Sequence, residues 1–133
     1  MNDMTRRCCF PMLLSIVFFI TGCSDKKTPD DACQAAETYY GYLIRGDVDA
    51  YMRGLHDYDS LSDEYRSQLR DMFLQYLEHE RQLRGGLTEA HALRDTLIDS
   101  LSAHVFVEVV FGDSTREEVS LPLVRTVDGW RMK

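Results

Sequence analysis

Several groupings in this sequence have the residue types and spacing for chemistry. Cys23 closes Ile20-Thr21-Gly22-Cys23, so its thiol follows one aliphatic and two small residues, the setting in which an export signal is cut. Glu78-His79-Glu80 places an acid on each side of an imidazole. The second histidine of a zinc-binding helix is missing, so the ligand count for a metal fails and no metal site is expected. Asp57-Tyr58-Asp59 has two acids at the first spacings of a calcium loop, but Leu61 stands at the third, and the glycine and closing glutamate are absent. Tyr39, Tyr40, Tyr51, Tyr65 and Tyr76, with His104, Phe106 and Glu108, are the candidates to line a pocket, phenol and acid tips on an apolar wall. At helical spacing such tyrosines are more often core residues with satisfied hydroxyls, which is the reading the sequence favours. His104 and Glu108 lie roughly 13 Å apart along a strand and do not form a hydrogen-bonded acid/base pair.

Helices must position the tyrosines. Pro29, Asp30 and Asp31 mark a helix start, because proline suits the first turn and aspartate the positive end of the dipole. Ala32, Ala35, Ala36, Tyr39, Tyr40, Leu43 and Ile44 then recur at three- and four-residue spacing, which predicts a helix over about 31–45 that Gly46 closes. Asp47 caps a short second helix presenting Val48, Tyr51, Met52 and Leu55. After a break at His56-Asp57-Tyr58-Asp59, Ser60 or Ser62 caps a long third helix. Tyr65, Leu69, Met72, Phe73, Tyr76, Leu77 and Leu83 hold one of its faces, and Gly85-Gly86 ends it.

The period then changes from 3.6 to 2. Leu87 to Thr96 is ambiguous, since Glu89-Ala90-His91-Ala92-Leu93 suits a helix in isolation. Ala103 to Phe111 predicts a central strand with Ala103, Val105, Val107, Val109 and Phe111 on an apolar face and His104, Phe106, Glu108 and Val110 opposite. A turn at Gly112-Asp113-Ser114 leads to a strand through Val119, Leu121 and Leu123, expected to be unpaired or bulged at Pro122. Asp128-Gly129 predicts a tight hairpin into a last strand from Trp130.

Arg6 and Arg7 precede an apolar run from Phe10 to Ile20, too short for the roughly 20 residues of a spanning helix. Ile20-Thr21-Gly22-Cys23 resembles the bacterial lipobox. That resemblance implies a signal peptide over 1–22, a lipidated Cys23 as the mature N-terminus and a tether over 23–29 before an α+β domain over 30–133. A diacylglycerol with an amide-linked acyl chain anchors stably, whereas one chain holds only marginally. Ser24 after the cysteine, in place of the aspartate of inner-membrane retention, implies the outer membrane. The expected partner is therefore the membrane, reached through the N-terminal lipid.

The formal net charge is −7, and loss of Arg6, Arg7 and Asp3 makes the mature chain slightly more acidic, which repels phosphate backbones and excludes nucleic acid as the expected partner. Of the four cysteines, Cys8 and Cys9 leave with the signal and Cys23 takes lipid, so Cys33 has no disulfide partner within the chain and reads as a half-buried helix residue. Asp59-Ser60-Leu61, Asp95-Thr96-Leu97, Asp99-Ser100-Leu101 and Asp113-Ser114-Thr115 resemble an O-glycosylation site of exported proteins in one Gram-negative phylum.

The order of helix, short helix, long helix, glycine pair and antiparallel strands resembles the nuclear-transport-factor-2-like (NTF2-like), cystatin-related α+β cone, and most of all its small lipoprotein branch. Gly46-Asp47, Gly85-Gly86, Val105 to Gly112 and Leu121 to Trp130 carry the resemblance. It implies a fold in which N-terminal helices pack on a curved antiparallel sheet, sometimes leaving a pocket. Enzymatic relatives use an aspartate base there, and no motif maps that base onto this chain. The expectation is a non-enzymatic, cofactor-free module at the outer membrane that binds a small ligand or an envelope protein. The alternatives are an isomerase or cyclase and a purely structural envelope protein.

Overall fold

The computed structural model describes residues 31–133. The signal segment, Cys23 and the tether lie outside the described residues. Helix α1 spans Ala32–Ile44, and the Asp31 carboxylate accepts from Cys33 N at 2.7 Å as its N-cap. Helix α2, Val48–Arg53, is capped by Asp47, which accepts from Ala50 N at 3.0 Å. A 3₁₀ turn at Tyr58–Ser60 precedes α3, Asp63–Arg84, where Ser62 rather than Ser60 is the cap. Gly85 ends α3 in the left-handed conformation, at φ 81°, which a side chain would strain. Among the described residues no helix is long and apolar enough to cross a membrane.

Four antiparallel strands follow in spatial order β1 (Leu87–Asp99), β2 (Ser102–Phe111), β3 (Arg116–Thr126) and β4 (Gly129–Met132), and the sheet is curved. The ambiguous stretch from Leu87 is thus strand, paired with β2 from Leu87↔Phe111 to Asp99↔Ser102. Register shifts at Leu87/Glu89, Ala92/Arg94 and Leu97/Asp99 break its period-2 pattern, so long-range pairing decides what local alternation does not. The irregularity expected at Pro122 is absent, because β2 and β3 pair without a shift through His104↔Pro122. The Pro122 carbonyl accepts from Lys133 N at 3.1 Å, so its peptide edge faces the β4 side and the missing N–H costs no bond to β2.

The inner sheet face carries the core. Ala103, Val105, Val107, Val109 and Phe111 are buried against Ala32, Cys33, Ala36 and Leu43 of α1, and Leu121, Leu123, Trp130 and Met132 extend the cluster across β3 and β4. From α3, Phe73 and Leu77 reach this core, Phe73 edge-on to Tyr51 with centroids 5.0 Å apart. Arg84 fastens the end of α3. Its guanidinium lies 3.5 Å from the Phe111 ring centre and donates to Glu80 at 2.7 Å and to Glu117 at 3.0 Å. The β4 edge is covered by Gly54–His56, through Met132 N to Gly54 O and His56 N to Met132 O, both 2.8 Å. On the β1 edge, Ala92 N donates to the Glu37 carboxylate at 2.9 Å.

Candidate functional site

An open cleft of about 460 Å³ lies between one face of α1, the end of α2 and the β3–β4 hairpin. Gln34, Ala35, Thr38 and Tyr42 line it because three- and four-residue steps keep them on one helix face. Gly54 makes room for Tyr39, since a Cβ there would sit 2.3 Å from the ring. The ring therefore lies against backbone, and the Tyr39 hydroxyl donates to the Trp130 carbonyl at 2.7 Å. Burial raises the Tyr39 pKa, with positive Arg131 pulling against it, so the hydroxyl keeps its proton.

Arg131, on β4, donates through Nη1 to the Arg53 carbonyl at 2.8 Å, and its Nη2 stands 3.9 Å from the Asp128 carboxylate. A smaller recess of about 290 Å³ adjoins, lined by Arg53, Asp128 and Arg131 together with His56, Tyr58 and Asp59. Arg53 and Arg131 thus line both depressions. Their planar guanidinium forks suit a carboxylate or another oxyanion.

The eight candidate pocket residues are divided among four places. Tyr39 enters the cleft. Tyr40 and Tyr76 gather with Tyr51 on the inner side near Glu117, and burial foremost, then this crowding, raises all three hydroxyl pKa values, that of Tyr51 to about 12. Tyr65 is exposed on α3. His104, Phe106 and Glu108 occupy the outer sheet face, away from the tyrosines, because strand side chains alternate. There Arg94 covers the Phe106 ring at 4.3 Å, Arg116 pairs with Glu108 at 2.6 Å and Ser120 meets His104 at 3.3 Å.

Glu78-His79-Glu80 is split by the helix. Glu78 faces water, and hydrogen bonds from Arg81 and Gln82 hold its carboxyl down at about 2, whereas Glu80 is buried against Arg84. Among the described residues no three His, Cys, Asp or Glu side chains are grouped to hold a metal ion. Sequence reasoning missed Gln34, Thr38, Arg53, Asp128 and Arg131. Arg53 and Arg131 are 78 positions apart and meet only because Gly54–His56 pairs with β4, a contact no local pattern announces.

No family model and no curated protein matches the chain. Among solved structures it is similar to a protein of Campylobacter jejuni, described provisionally as an NTF2-like transpeptidase. The TM-score is 0.59 at 20% identity, over 74% of this chain and 94% of that one. At that identity the likeness is one of fold, and the helices with their curved antiparallel sheet form an NTF2-like α+β fold.

Proposed function

We propose that this is a lipid-anchored envelope protein, held at the outer membrane through Cys23, whose NTF2-like fold serves as a non-enzymatic binding module. Its cleft takes a small ligand or peptide end that carries a carboxylate. The observation behind this reading is the placement of Arg53 and Arg131 in the lining of both open recesses, with Tyr39 and Thr38 in the larger one. An oxyanion held there leaves the attached group room on the mixed polar and apolar wall of α1.

An isomerase or cyclase would need a carboxylate withdrawn from water beside a tyrosine hydroxyl. The acid in the cleft, Asp128, has a side chain 71% exposed, and buried Glu80 is engaged by Arg84 at 2.7 Å. Both placements favour binding over proton abstraction. The transpeptidase description belongs to the Campylobacter jejuni protein, and a likeness of fold does not bring the activity with it. An open cleft also favours a ligand over a purely structural role.

Trp130 is the only tryptophan of the chain and lines the cleft, so its emission reports occupancy. Titration with short peptides bearing a free α-carboxylate should change that emission saturably, and their amidated counterparts should bind at least about ten-fold more weakly, as expected for loss of a charge-assisted hydrogen bond. Arg53→Gln should weaken the free acids to a similar degree and leave the amides unchanged. Equal responses to acids and amides, or an Arg53→Gln protein that binds like its parent, would refute the carboxylate reading.

A further inference from the structure

The β1–β2 and β3–β4 turns project from one end of the sheet. Ser102 pairs with Val124, and Arg125 N donates to Leu101 O at 2.7 Å, so the β1–β2 turn lies beside the start of the β3–β4 turn. Leu97, Ile98 and Leu101 are 64%, 60% and 57% exposed, and Val127 is fully exposed. Among the described residues, every exposed large apolar side chain of the strands and their turns except Leu93 is at this end. The opposite end presents Gly85-Gly86 and Gly112-Asp113-Ser114. Four exposed aliphatics sit on two neighbouring strand tips and none on the glycine-rich turns at the other end, where only α3 contributes one, Leu83, an asymmetry of the sheet that ordinary surface scatter does not produce.

The same end receives the chain from the N-terminus. Leu43, Ile44 and Gly46 share a recess with Gly86 and Leu87 at the start of β1, while Glu37, earlier in α1, bonds Ala92 in its middle. Helix α1 therefore runs antiparallel to β1, and its first turn points toward the β1–β2 tip. Asp31 lies eight residue steps beyond Cys23, a reach of at most about 28 Å. An acyl anchor on Cys23 thus leaves the tips within reach of the lipid surface.

We propose that Leu97, Ile98, Leu101 and Val127 insert into the lipid surface to which the chain is tethered, so that the fold stands on the bilayer instead of swinging from it. This rests on the anchoring through Cys23 proposed above. The tips carry Asp95, Asp99 and Asp128 against Arg94 and Arg125, so they hold no net positive charge and the attraction to zwitterionic lipid is apolar. Only the ends of the two hairpins are apolar, so they reach no deeper than the boundary between headgroups and acyl chains.

The test uses the full acylated protein in phosphatidylethanolamine–phosphatidylcholine vesicles, with a fluorophore on Ile98→Cys or, at the far end of α1, on Arg45→Cys. A nitroxide quencher carried on the lipid should quench position 98 at least about three-fold more than position 45. Leu97→Ser/Leu101→Ser/Val127→Ser, all at exposed sites, should abolish that difference while the protein stays vesicle-bound. Equal, weak quenching at both positions in vesicle-bound protein would overturn the docking and leave the anchor standing. A label at 98 shielded from aqueous iodide but untouched by the lipid quencher would place a protein there, and a glycan on Ser100 would keep the tip in water. Either result overturns the proposal. Protein without acyl mass that stays in the aqueous phase would remove the anchor and the docking together.

Discussion

Tyr51 shows at the residue scale how burial converts a common side chain into a pH-dependent constraint. Its hydroxyl is pushed up to about 12, first by burial and then by the nearby Tyr76, against an ordinary value near 10. Between those two values the unfolded chain has released a proton that the folded chain retains, so rising pH favours unfolding. The contribution is fully present below pH 10 and about 2–3 kcal/mol of it is lost by pH 12. Urea midpoints measured from pH 9 to 11.5 should therefore fall steeply for the parent and less steeply for Tyr51→Phe. Identical slopes would mean that the hydroxyl titrates as it does in water. The tyrosines also show why the site was only partly legible. Residue types announced amphipathic side chains, but 100° of helical rotation sends Tyr39 to the cleft and Tyr40 to the inner cluster, and spacing alone does not say which face meets a cavity.

Among the elements, the helices were readable because each start and stop has its own local chemistry. Asp31, Asp47 and Ser62 supply caps, and Gly46 and Gly85 take positive φ just past α1 and α3. Strand β2 was readable because one of its faces is apolar at every second residue. Strand β1 was not, since three register shifts interrupt its alternation and alanines at 90 and 92 suit either structure. The cover of β4 by Gly54–His56 left no trace in sequence, and Arg53 and Arg131 were missed with it. The junction between α3 and the β2–β3 turn is the element contact most sensitive to one atom. Gly112 N donates to Gly86 O at 2.9 Å, and a Cβ on Gly112 would lie 2.5 Å from Gly85 O. Gly112→Ala should consequently cost about 1–3 kcal/mol, because backbone on both sides must move. A thermal midpoint equal to the parent's would show that the two turns are not held so closely.

For the whole molecule, the NTF2-like scaffold divides its surface by role. The helices bury the inner sheet face, the outer face is covered by paired charges such as Arg94–Glu118 and Arg116–Glu108, and one end combines the cleft, the apolar tips and the start of α1. On the proposed anchoring, a tether at that end would keep the tips near a bilayer, so the envelope role and the docking proposal share one premise, the acyl anchor on Cys23. The most direct measurement is the intact mass and N-terminal peptide of the protein extracted from membranes. The account predicts a chain beginning at Cys23 with the mass of a diacylglycerol and an amide-linked acyl group. A chain that retains residues upstream of Cys23, or begins there without acyl mass, would contradict it.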